Sequence, residues 1–278
     1  MSLPEPLAVI SLMPEVGGVW LDLDQRLFRI IHHGPAVSAL VDGRLGVTRT
    51  GMYLEYTGND ALDDVNEGGE TEADGAQRAA FFGSSAPAAD RRVDDRRTAL
   101  PNNSYLSCWF RLTPETAVER CVNEFADGPS AIVVTTVPRW MAAWRPREGA
   151  LRFWAHLAPV TYLGRTEATR AYQDQVATGL AVPLRFKDRS YAWQREARLI
   201  LHPGTMEGPD PLGPLENRSP QADFAEVALD PEEFIERLLV LDDGLLEEVK
   251  AAAGYGPVAD RVVRCAAEDV VGVLRGLG

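Results

Sequence analysis

The chain is short of cysteine, of histidine, of positive charge and of long apolar runs, and each shortage removes a class of function. Cys108, Cys121 and Cys265 are its 3 cysteines. An odd number without close spacing builds no disulfide framework and matches no zinc module, and it fits a reducing compartment such as the cytoplasm. The apolar stretch at 7–13 is flanked by Pro4, Pro6 and Pro14 and has no basic lead. It is too short to span a bilayer and does not read as a signal peptide, so no membrane partner is expected. A formal net charge of -13 works against general nucleic-acid binding, which draws on Lys and Arg to release counterions, although a local basic groove stays compatible with it. There is also no Walker loop, nucleophile elbow or dinucleotide fingerprint, so no motif fixes a reaction.

What is present is material for a core. With 278 residues, 45% of them hydrophobic, the chain fits a single domain over 1–278. Two stretches interrupt it: an acidic, Gly- and Arg-rich stretch at 59–101, read as a flexible loop, and a Pro- and Gly-rich loop at 203–220. Strands are expected at 26–31, 44–48, 104–112, 131–137, 151–156, 160–163, 197–202 and 224–229, from β-branched and aromatic runs. Helices are expected at 36–41, from Thr113-Pro114 to about 126, at 167–177, at 232–239 and 244–252, with a last one ending at 277. Asp230-Pro231-Glu232-Glu233 is the clearest helix start, with Asp230 as cap and Pro231 in the first position. Strands and helices do not alternate strictly, which predicts an α+β fold: a mixed, mainly antiparallel sheet flanked by helices, with a helical C-terminus.

Chemistry concentrates in the segment 184–201, where Lys187, Gln194, Glu196 and Arg198 stand among aromatic and aliphatic residues. A strand here would put Gln194 and Glu196 on one face, because strand side chains repeat every second residue. Elsewhere the plainer readings lead. Cys108 reads as a core residue without an identifiable base, His32-His33 as a loop pair, and Trp140 and Trp144 as helix residues packing on the core. The acidic run at 59–72 lacks the spacing of a calcium loop.

Several blocks taken in order resemble a large prokaryotic family of domains of unknown function. They are Arg26 to Leu45 with its Gly-x-Leu, the Ser107-Cys108-Trp109 strand, Pro-Glu-Thr before a helix, Ile132 to Thr136, Val160-Thr161-Tyr162, and Lys187 followed by Tyr191, Gln194, Glu196 and Arg198. The family usually has Glu-x-Glu-x-Arg where this chain has Gln194-Arg195-Glu196-Ala197-Arg198. A partial likeness to ADP-ribosyltransferases comes from Arg29, a serine at 104 or 107, and Gln194-x-Glu196. That likeness implies NAD as a possible cofactor, with Glu196 catalytic, Gln194 orienting the nucleophile and Arg29 as clamp. Ser107, Tyr162, Lys187 and Arg198 would complete the cofactor cleft. The function it implies is ADP-ribosyl transfer or NAD hydrolysis. Two alternatives stand beside it. One is a non-catalytic sensor or interaction module, loosely suggestive of a defence or toxin system; the other is a hydrolytic or nucleic-acid-processing role for Lys187 and Glu196. Glu196 and Arg198 could equally be an ordinary ion pair on a strand. Substrate, partner and oligomeric state are not legible.

Overall fold

Short β-branched and aromatic segments, most of them paired antiparallel, build this protein around one large sheet. The structure is a computed structural model that describes residues 10–12, 21–49, 105–124, 131–144, 153–163, 185–203, 224–254 and 256–278. The expected helix at 167–177, the loop at 59–101 with its acidic run, Ser104 and nearly all of the loop at 203–220 lie outside those residues.

The N-terminal part supplies β1 (Ile10–Leu12), β2 (Arg26–Ile31), α1 (Gly34–Val41) and β3 (Arg44–Arg49). The middle supplies β4 (Tyr105–Arg111), α2 (Val118–Glu124), β5 (Ala131–Thr136), α3 (Val137–Ala143), β6 (Phe153–Pro159) and β7 (Thr161–Leu163). Then come β8 (Phe186–Asp188), a 3-10 turn (Arg189–Gln194), β9 (Glu196–Pro203), β10 (Phe224–Ala228), α4 (Pro231–Phe234) and β11 (Arg237–Val240). The chain closes with α5 (Asp243–Ala253), β12 (Val262–Arg264) and α6 (Val270–Arg275). This is the α+β fold with a helical C-terminus that the sequence predicts. Among the described residues no helix is long and apolar enough to cross a membrane.

The 10-stranded sheet runs β1-β6-β9-β4-β2-β5-β11-β12, with β3 and β10 branching from β4. Within it only β1 with β6 and β11 with β12 pair parallel. The branch is a fork. One edge of β4 pairs with β9 along its length. On the other edge β2 holds only Phe110 and Arg111, while β3 holds Tyr105 and Leu106. Beyond Phe28, β2 leaves β4 and stays with β5; β3 meets β4 only at Thr48 and Arg49 and pairs with β10 from Arg44 to Thr48.

Both faces are covered. On one, Leu27, Ile31, Tyr105, Trp109, Val133, Leu157 and Leu199 meet Val37 and Leu40 of α1, Trp140 of α3 and Leu245, Leu246 and Val249 of α5. Trp109, Trp140 and Phe234 pack edge to face there, with ring centroids 4.7 to 5.5 Å apart, as the ring quadrupole favours. On the other face Phe28, Ile30, Phe110, Ile132 and Val134 meet Val118, Cys121 and Val122 of α2 and Val270 and Leu274 of α6.

Two expected helices are corrected. Residues 237–239 do not continue a helix from Pro231; they begin β11, between β5 and β12. Leu238, Leu239 and Val240 are buried whichever way they point, and burial on both faces is what an inner strand provides. The Asp230 cap itself forms, its carboxylate accepting from the amides of Glu232 and Glu233. Thr113-Pro114 does not start α2, which begins at Val118. The hydroxyl of Thr116 takes the Thr113 amide and donates to the Arg111 carbonyl, closing a local turn in place of the first helical turn.

Candidate functional site

The segment 185–198 folds as strand, turn and strand. Its middle is a 3-10 turn that ends at Gln194, and Arg195 then takes a left-handed backbone (φ 48°) before β9 starts at Glu196. The turn is tied to its neighbours by Ala117 N donating to Trp193 O and Arg111 N donating to Arg195 O at 2.8 Å. Gln194 is buried, but it does not share a strand face with Glu196, so the Gln-x-Glu pairing expected of one continuous strand is not formed.

Glu196 instead sits in a closed knot. Lys187 reaches it because β8 runs parallel to β7 with Lys187 opposite Tyr162. Its Nζ donates to Glu196 Oε1 at 2.7 Å and lies 4.9 Å above the Tyr191 ring. Arg198 Nε donates to Glu196 Oε2 at 3.0 Å, with Nη2 2.9 Å from the same oxygen as an ion contact. The Glu196 amide donates to Tyr162 Oη at 2.7 Å. Lys187, Glu196 and Arg198 are all buried. Burial, the largest influence, pushes the Glu196 carboxyl up; the charges and hydrogen bonds of Lys187 and Arg198 together outweigh it and hold the group at about 2. The Tyr162 phenol goes the other way, raised well above its usual range by burial and then by the Glu196 charge.

The second polar cluster fills the fork. Arg29 is the first residue of β2 beyond its last pairing with β4, and its Nη1 donates to Ser107 Oγ at 2.7 Å and to the Gly46 carbonyl at 3.3 Å. Trp109 Nε1 donates to the same Ser107 oxygen at 3.0 Å, and the guanidinium carbon lies 6.0 Å from the Trp109 ring centroid.

Strand parity separates the two clusters. Glu196 pairs with Phe110 and Arg198 with Cys108, so these share the face of Phe28. Ser107 and Trp109 alternate with them and share the opposite face with Leu27, Arg29 and Ile31. The single cleft expected to hold Arg29, Ser107, Tyr162, Lys187, Glu196 and Arg198 therefore divides in two, Arg29 and Ser107 on one side and the rest on the other. The sequence put Arg29, Ser107, Tyr162 and Arg198 on strands and gave none to Lys187, which lies on β8; the sides they face depend on a register that pairs residues far apart in the chain.

The remaining candidates fall into place around these clusters. Cys108 is half-buried beside the knot and not a core residue, whereas Cys121 and Cys265 are buried. His33 precedes α1 without a side-chain cap, on the loop after β2. Trp140 is buried in the core as expected. Among the described residues no group of His, Cys, Asp and Glu is arranged to hold a metal ion. Two partners were missed: the Gly46 carbonyl, which as backbone carries no signal, and Trp109 as a donor to Ser107, which its two-residue spacing on a strand could have shown.

Comparison of the chain with models of protein families, with characterised proteins and with solved structures finds no match.

Proposed function

We propose that this domain is a binding module, a sensor or interaction domain, and not an NAD-consuming enzyme. The observation that carries this reading is the state of Glu196: both carboxylate oxygens are engaged by buried cations, and the group is held ionised far below neutrality. A carboxylate that stabilises a developing oxocarbenium centre has to face the substrate, and a general base needs a pKa nearer the working pH. Glu196 has neither property. The division of Arg29 from Glu196 by the sheet supports the same conclusion, since an Arg clamp and a catalytic Glu act on one ligand only from one cleft.

The test is NAD consumption by the purified full chain, with NAD-dependent thermal shift beside it. No turnover and no shift are expected. Turnover by the wild type that is lost in a folded Glu196→Gln variant would restore the transferase reading and end this one.

A further inference from the structure

Arg29 occupies a position where a strand facing a core calls for an apolar side chain. Its neighbours on the same face, Leu27 and Ile31, are buried, and so are Trp109 and the paired Val133. A cation in such surroundings is costly unless a counter-charge answers it. The guanidinium carries five N–H donors. Its hydrogen bonds both leave from Nη1, and both end on neutral oxygens. Among the described residues Arg29 forms no ion pair; its contacts there are those two bonds and the Trp109 ring. The donors on Nε and Nη2 therefore have no acceptor among the described residues.

Ser107 carries the same imbalance. A hydroxyl oxygen offers two lone pairs, and here Arg29 Nη1 and Trp109 Nε1 occupy both. The hydroxyl hydrogen must turn away from both donors, and among the described residues no oxygen receives it although Ser107 is fully buried. Trp109 is itself fixed by Trp140 and Phe234, so the Ser107 oxygen is held by a rigid donor. Strands β2, β3 and β4 thus bring together one half-buried cation and one hydroxyl, with donors left over and only neutral acceptors, the Ser107 oxygen and the Gly46 carbonyl.

We propose that the fork between β2 and β3 is an anion site, in which Arg29, backed by Ser107, takes an oxyanion group of a small ligand. The guanidinium edge formed by Nε and Nη2 suits two oxygens of a phosphate or carboxylate bound side by side. No bond is made or broken; the site recognises charge and shape. The proposal rests on the binding-module reading only in giving that module a ligand class.

The experiment is thermal unfolding of the full chain at matched ionic strength in chloride, inorganic phosphate and acetate, the last two distinguishing which oxyanion is preferred. The wild type should gain roughly 2 to 4 °C in at least one of these anions at tenfold its dissociation constant. Arg29→Met should lose that gain and, in chloride, melt no lower than wild type, because an apolar side chain suits the position once the anion is given up. Arg44→Met, which removes an ion-paired cation from β3, the other arm of the fork, should keep the gain. A wild type indifferent to both anions, a gain that survives Arg29→Met, or an Arg29→Met that melts well below wild type or fails to fold would each overturn the site. The last two outcomes would make Arg29 a generic charge or a structural tie. NAD turnover by the wild type would instead sink the module reading and leave the anion shift to be judged on its own.

Discussion

The knot at Glu196 and the fork at Arg29 place charge within one sheet and treat it in opposite ways. In the knot every oxygen of the carboxylate meets a cation, and Tyr162 takes the amide of the same residue. In the fork a guanidinium and an indole both donate to one hydroxyl oxygen, and the guanidinium also donates to one backbone carbonyl. Opposite charges answer one another in the first case, while the cation of the second meets only neutral oxygens. The difference teaches where to look for function: a buried cluster whose charges are paired fixes strands to one another, while a cation without a counter-charge is suited to something that arrives. The knot, richer in titratable groups, attracts attention first, and it is the more structural of the two.

The largest effect that could break this contrast comes from the knot. Glu196→Gln leaves Lys187 and Arg198 buried without their carboxylate, and removing one partner of a buried ion pair costs about 3 to 5 kcal/mol. Equilibrium denaturation of the variant should show a loss of that size, several times that of any change at the fork. A loss under about 1 kcal/mol would mean that the knot is hydrated and open, and the two regions would no longer differ in kind.

Acid should expose the same difference in the wild type. Glu196 has a folded pKa of about 2, below its ordinary value near 4.5. A depressed carboxyl contributes stability that is fully present above the unfolded pKa and is lost as pH falls toward the folded one. The knot's contribution should therefore fade between about pH 4.5 and 2, by roughly 3 kcal/mol in all. Among the described residues Arg29 has no carboxylate partner, so the fork should add nothing to this acid limb. Stability measured against pH for the wild type and for Glu196→Gln checks it: the variant should lack this part of the slope, and parallel slopes would refute the assignment.

How much of this was legible in the sequence follows from which interactions are local. Asp230-Pro231 announces a helix start because the cap lies within a few residues of the amides it takes. Leu238 and Leu239 read as the end of a helix because a short apolar run has no period to separate strand from helix, and only the flanking β5 and β12 decide. Lys187, Glu196 and Arg198 were legible as a group, since polar residues in an apolar frame need partners. That Gln194 does not join them was hidden, because the turn before β9 depends on a non-glycine residue with positive φ. Arg29 and Ser107 were identified singly, yet their shared face and their separation from Glu196 rest on the β2–β4–β9 register, which joins residues such as Phe28, Phe110 and Glu196.

That turn also supports the smallest and sharpest prediction. Arg195 holds φ 48°, a conformation that costs an ordinary side chain about 1 kcal/mol or more and that glycine adopts freely. Glycine in turn loses more freedom on folding, so the two terms offset and Arg195→Gly should stay within about 1 kcal/mol of wild type. Arg195→Val should cost about 1 to 2 kcal/mol more than Arg195→Gly, because a β-branched residue is a genuine outlier at positive φ. Equilibrium denaturation of the two variants measures the gap. Since Arg195 immediately precedes Glu196 and its carbonyl takes the Arg111 amide, a valine that twists this junction also pulls the carboxylate away from Lys187 and Arg198. The fork does not depend on that junction, so an anion response at Arg29 should survive in Arg195→Val. Equal stabilities for the valine and glycine variants would show that the left-handed turn does not hold the knot closed.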